Sequence, residues 1–121
     1  MGYSTIKLGT LNLGGSGNAV PIISKRPVLG TAKSISSTGI ITLTPIPGKA
    51  KELQITITAQ FNGSTKDSQR ATLMNYEKNG DILHYEDGID SFDVVIEPNS
   101  LVFDDTGPVV VYPYRITLRQ Y

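Results

Sequence analysis

The clearest feature of the chain is a stretch in which apolar and polar positions alternate without a break. Leu53, Ile55, Ile57, Ala59 and Phe61 are interleaved with Gln54, Thr56, Thr58, Gln60 and Asn62. A period of two puts each set on its own side of a strand, so residues 53–61 read as a half-buried β-strand with one dry face and one wet face. A second alternation lies at 109–121, where Tyr112, Tyr114, Ile116 and Leu118 share one face and Pro113, Arg115, Thr117 and Arg119 the other. Pro113 has no N–H for a ladder, so this strand is expected to be at an edge there, or bulged. Between the two strands the period changes. Ser64 is placed to cap a helix with Asp67 at its third position, good helix formers run from Gln69 to Met74, and Gly80 suits a left-handed stop. The apolar stripe of Ala71, Met74 and Leu73 is narrow, which fits a helix lying on a sheet better than one inside a bundle.

After Gly80 the strand pattern returns. Residues 82–86 and 89–97 are joined by Asp87 and Gly88, a two-residue hairpin signal, and Phe92, Val94 and Ile96 fall on one face. Residues 98–100 make a turn, 101–103 a short strand and 104–108 a polar connection. Residues 9–48 are less regular, holding seven of the 12 Gly and four of the seven Pro, with Gly-Gly-Ser-Gly at 14–17 and Pro47-Gly48. Here residues 4–8, 19–24 and 40–44 read as short strands, and the rest as loop or an extended arm. The sum is a mainly β chain forming one domain over 1–121. The expected fold is an antiparallel β-sandwich or small barrel with one flanking helix at about 64–79.

Composition removes most catalytic chemistry. The 121 residues contain no Cys, so disulfides, thiolate metal sites and cysteine nucleophiles are excluded. His84 is the one imidazole, on the strand face opposite Leu83 and Tyr85, and no Gly-x-Ser-x-Gly motif accompanies it. It reads as solvent-facing. Nothing selects one pair of carboxylates for glycoside hydrolysis, and the chain is read as a non-enzyme without cofactor. Glu86, Asp87, Asp90 and Asp93 come nearest to a calcium site. They lack the Asp-x-Asp-x-Asp-Gly spacing, so a solvated acidic face is the stronger reading and no metal is assigned. The Gly-rich run has no following Lys-Ser or Lys-Thr and is not a phosphate loop. Asn62-Gly63-Ser64 matches the glycosylation sequon, yet residues 1–10 hold no apolar run of a secretion signal, and no run is long enough for a membrane span.

A net charge of zero argues against nucleic acid as a partner, since phosphate binding calls for a basic surplus. The charges are segregated, however. Residues 1–76 carry eight basic and two acidic side chains, while residues 77–105 carry nine acidic ones and Lys78. As opposite patches they would let copies meet head to tail; if the strands interleave, the charges mix on the surface instead. The interface candidates are Lys25 and Arg26 on the basic side, Asp87, Asp90 and Asp93 on the acidic side, and Tyr121 near one terminus. Among the other tyrosines, Tyr112 and Tyr114 read as core.

The order of elements, an alternating strand at 53–61, a helix ending in Asn79-Gly80, the hairpin Tyr85-Glu86-Asp87-Gly88, a strand at 91–96 and the final Tyr114-Arg115-Ile116-Thr117-Leu118, resembles that of small tail-tip and baseplate proteins of tailed bacteriophages. Distal tail proteins and relatives of the tail-tube fold belong to that group. The resemblance implies a structural virion component, made in the host cytoplasm, whose β-sandwich or barrel assembles into rings with itself and with other tail proteins. Residues 9–48 would supply an arm, and the family has no catalytic residues to carry over. The alternative is a stand-alone carbohydrate-binding β-sandwich that presents Tyr side chains.

Overall fold

The computed structural model describes residues 6–14, 22–48, 50–61, 65–103 and 112–121. Ten strands and one helix follow in the order β1 (Ile6–Leu8), β2 (Leu11–Gly14), β3 (Ile22–Val28), β4 (Thr31–Ile35), β5 (Ile41–Pro45), β6 (Glu52–Phe61), α1 (Lys66–Asn79), β7 (Leu83–Glu86), β8 (Ser91–Ile96), β9 (Val102–Phe103) and β10 (Tyr112–Gln120). All pairings are antiparallel, which gives the mainly β fold with one helix that the alternation predicts. The main sheet runs β2-β1-β7-β8-β10-β6-β3, with β9 beside β10, and β4 and β5 form a separate two-stranded ribbon. Residues 15–17 of the Gly-rich run, the Ser64 cap, the Asn62 sequon and the 104–108 connection lie outside the described residues.

The dry faces of β6 and β10 meet in register, Ile116 opposite Ile57 and Leu118 opposite Ile55. With Ile6, Leu8, Leu11, Leu13, Tyr85, Val94 and Ile96 they form one apolar cluster, most of it fully buried. Fully burying such a side chain contributes roughly 1.5–3 kcal/mol, so this cluster is the main source of stability. Leu11 and Leu13 belong to the stretch expected as loop or arm but form β2, and residues 31–35 of that stretch form β4, while β3 and β5 overlap the short strands expected at 19–24 and 40–44. β3 runs through Pro27, which an outermost strand tolerates because its outward side needs no N–H donor. At Pro113, β10 pairs with β6 alone among the described residues, as an edge position there requires.

A flat sheet cannot make the contacts seen. From β7 to β3 there are four strand steps, about 19 Å at the usual spacing, yet Lys25 Nζ on β3 lies 2.5 Å from Asp87 at the end of β7. A lysine side chain spans well under half that gap, so the sheet curls until its two halves face each other over the core. Helix α1 packs on β2 and β6 with Leu73 fully buried. The Tyr76 hydroxyl sits 2.8 Å from Thr10 Oγ1, and Arg70 stacks between the rings of Phe103 and Tyr112 at 4.4 and 4.7 Å. The helix begins one residue later than the capping pattern predicts: Thr65 precedes it, makes no side-chain cap bond, and Asp67 is its second residue. Asp67 accepts a hydrogen bond from the Tyr112 hydroxyl instead. At the other end Gly80, at φ 65°, donates to Glu77 O and Asp81 donates to Tyr76 O, the paired bonds of a left-handed helix stop.

Candidate functional site

The described residues bring together three of the six interface candidates. Asp87 closes β7 and turns its carboxylate back over the following loop, where Oδ1 accepts the N–H groups of Ile89 at 2.9 Å and Asp90 at 2.8 Å. Asp87 N–H returns a bond to Asp90 O at 3.1 Å. These bonds make a four-residue turn, with Glu86 opposite Ser91, and correct the two-residue Asp87-Gly88 hairpin that the sequence predicts. Asp87 Oδ2 then accepts the Tyr85 hydroxyl at 2.6 Å and meets Lys25 Nζ at 2.5 Å, while Asp90 takes the same ammonium at 2.6 Å. The Asp87 side chain has no solvent exposure. The result is an ion clasp tying an end strand of the sheet to the β7–β8 hairpin across the core.

Burial is the largest single influence on the Asp87 carboxyl and raises its pKa. The Asp90 N–H, the Lys25 ammonium, the Tyr85 hydroxyl and the Ile89 N–H together outweigh it and hold the group at about 2. Burial lowers Lys25, but its bonds to Asp87 and Asp90 prevail and keep it above its ordinary value. Both ions are thus charged throughout the neutral range. A Tyr85→Phe variant keeps the ring and loses one of the donors to Asp87. It is expected to lower the unfolding free energy by about 1.5 kcal/mol in urea melts, the usual weight of a hydrogen bond to a charged group.

The other candidates are placed apart from the clasp. Arg26 is exposed and donates to Gln54 Oε1 at 2.7 Å. Asp93 is exposed and bonds His84 Nδ1 at 3.1 Å, while His84 Nε2 lies 2.9 Å from Ser91 Oγ. His84 is half exposed, as its strand position predicts. Tyr121 is also exposed, its N–H bonded to Asp93 O and its ring 5.9 Å from Lys33 Nζ. Charges distant in sequence therefore meet within one chain, basic Lys25 with acidic Asp87 and Asp90, so part of the charge segregation is used up in folding. No group of three or more His, Cys, Asp or Glu among the described residues is arranged to hold a metal ion.

Sequence reasoning missed a second polar centre, at Glu52. This residue lies on the outer face of β6, next to the alternating stretch, and is 8% exposed. Its Oε1 accepts the Thr31 N–H at 2.6 Å and Lys33 Nζ at 3.1 Å, and its Oε2 lies 2.9 Å from Lys33 Nζ and 3.7 Å from Arg119. Arg119 also pairs with Glu97 at 3.3 Å. Burial raises Glu52, but Lys33 and the Thr31 N–H outweigh it and leave its pKa below the ordinary 4.5. An acidic residue set just before a run of alternating positions was the available signal. Tyr114, on the inner face, is buried with its hydroxyl unpartnered, and burial pushes its pKa up.

No protein-family model matches the chain, and no curated protein does. Among solved structures it is similar to a chain of the tail of an empty gene transfer agent particle with C6 symmetry, at 16% identity and a TM-score of 0.47, covering 97% of this chain and 90% of that one. It is also similar to a chain of the virion of a native gene transfer agent particle, at 16% identity and a TM-score of 0.46, covering 97% and 89%. No helix among the described residues is long and apolar enough to cross a membrane.

Proposed function

We propose that the chain is a structural subunit of a virion tail or baseplate that joins copies of itself, and other tail proteins, through its strand edges. The observation that carries the reading is the end strand β3. It pairs over seven residues with β6 on one side and with no described strand on the other, and Ile22 on it is 73% exposed. An edge of this kind is a template for another strand. The opposite end of the sheet is the four-residue β2, so the two ends differ in length and sequence. Unlike ends favour head-to-tail contact, which closes into a ring when the rotation per copy divides a full turn. Arg26, exposed on β3, is the interface candidate such a copy meets, whereas Asp93 within β8 and Tyr121 just past β10 are exposed on interior strands, away from both edges. This edge and the order of elements together support the reading.

The carbohydrate-binding alternative gains nothing from the structure. Of the five described tyrosines, Tyr85 and Tyr114 are buried, Tyr76 and Tyr112 are partly buried, and Tyr121 alone is exposed. An Ile22→Lys variant tests the edge. Its stability is expected to stay within about 0.5 kcal/mol of the parent, as for an exposed position. Self-association, followed by light scattering at low salt over a dilution series, is expected to weaken at least tenfold. A parent chain that stays monomeric at high concentration, or an Ile22→Lys chain that assembles as before, would count against edge-mediated assembly.

A further inference from the structure

Among the described residues the β4–β5 ribbon pairs with no strand of the main sheet. Its less exposed side carries Thr31, Lys33, Ile35, Ile41 and Leu43, while Ala32, Ser34, Thr42 and Thr44 face water. Glu52, Arg119 and Val95 all point away from the main core, yet they are largely buried, Val95 completely. The ribbon is drawn onto this outer face by Thr31 and Lys33, whose bonds converge on the Glu52 carboxylate. At its far end the ribbon turn reaches the end of α1, where Gly39 meets Gly80. An isolated two-stranded ribbon is marginally stable in water, so its order depends on this docking.

We propose that the β4–β5 ribbon is an acid-released strap: Glu52 is the pin that holds it on the outer face of the sheet, and protonating that carboxylate lets the strap lift and uncovers Val95. The proposal is independent of the assembly role. The groups facing Glu52 are the Lys33 ammonium and the Thr31 N–H and hydroxyl from the ribbon, and the Arg119 guanidinium from β10. Glu97 shares Arg119, and the Tyr121 ring lies beside Lys33. With the carboxylate ionised, two cations and two donors converge on it. Once protonated, it offers no charge to hold Lys33 or Arg119. The sign follows from the lowered pKa: the pin is complete above 4.5 and is lost as pH falls below it.

Hydrogen–deuterium exchange on the full chain tests this. At pH 7, Glu52→Gln is expected to speed exchange of the β4 and β5 amides about tenfold or more, with the β6 and β10 amides within about twofold of the parent, because the strap opens as a local unit. Equal acceleration everywhere, or none in the ribbon, overturns the proposal. Should that variant fail to fold, the parent titrated from pH 6 to pH 3, corrected for intrinsic exchange, gives the same answer. Ribbon protection is then expected to fall with a midpoint below 4.5 while β6 and β10 stay protected. Lys33→Met, which removes one cation from the pin, is expected to move that midpoint to higher pH. A midpoint that does not move assigns the opening to another group and sinks the idea.

Discussion

Replacing Asp87 by alanine is expected to lower the unfolding free energy by about 3–4 kcal/mol, the range seen when one member of a buried ion pair is removed. Three losses coincide. Lys25 keeps only Asp90 of its two carboxylates, the buried Tyr85 hydroxyl loses its acceptor, and the Ile89 and Asp90 N–H groups lose theirs. In a chain of this size the midpoint of thermal unfolding should drop by about 10–15 °C. Asp87→Asn separates the contributions, since the amide oxygen can still accept the two turn N–H groups while the charge is gone; it should cost about half as much. The parent should show the matching pH dependence. The folded pKa is lowered from 3.8 to about 2. This stabilisation is therefore complete above pH 3.8, amounts to about 2 kcal/mol there, and is lost as pH falls through 2. Urea melts at pH 5 and pH 2 measure it, and an Asp87→Asn chain that still loses as much between those two pH values as the parent would assign the acid loss elsewhere.

Gly39→Ala is expected to cost about 2–3 kcal/mol and to lift the ribbon turn from the helix end. Gly39 sits at φ 82°, and a Cβ built there would lie 2.3 Å from Lys78 O and 2.9 Å from the Asn79 carbonyl carbon. Both neighbours are backbone, so neither can swing aside. The contact is mutual, because a Cβ on Gly80, at φ 65°, would lie 2.5 Å from Gly39 O. Gly48 supplies the internal control: it has φ 83° and nothing within 4 Å of its Cβ position, so its alanine variant carries backbone strain alone, roughly 1–2 kcal/mol. The excess of Gly39→Ala over Gly48→Ala in urea midpoints isolates the steric term. Equal midpoints would mean that the turn does not bear on the helix end.

Where one local pattern decides a structure, the sequence made it readable. The alternation at Leu53–Phe61 became β6 because each second side chain finds an apolar partner on β10, and Gly80 stopped α1 because only glycine takes that φ without penalty. The start of α1 is not legible to the residue because Ser64 and Thr65 are both good caps and local chemistry does not choose between them. β4 is hidden in the sequence because Thr-Ala-Lys-Ser-Ile has little apolar weight of its own; it is a strand because β5 and Glu52 make it one. The acidic stretch at 86–93 and Lys25 are each legible in the sequence, but their meeting is not. Which of the 11 basic groups faces which of the 11 acidic ones depends on the curl of a sheet whose strands come from all parts of the chain.

The position of β10 bears on how the molecule is made. It lies in the middle of the sheet, with β6 on one side and β8 and β9 on the other, although it follows all three in the chain. While a ribosome is still extending the chain towards residue 112, β6 and β8 already exist and each has an open edge waiting for it. The core cannot close until that strand emerges. A nascent chain stalled before that point would present two apolar strands to its neighbours, the condition under which polysomes bring like edges together and chaperones are needed to keep them apart.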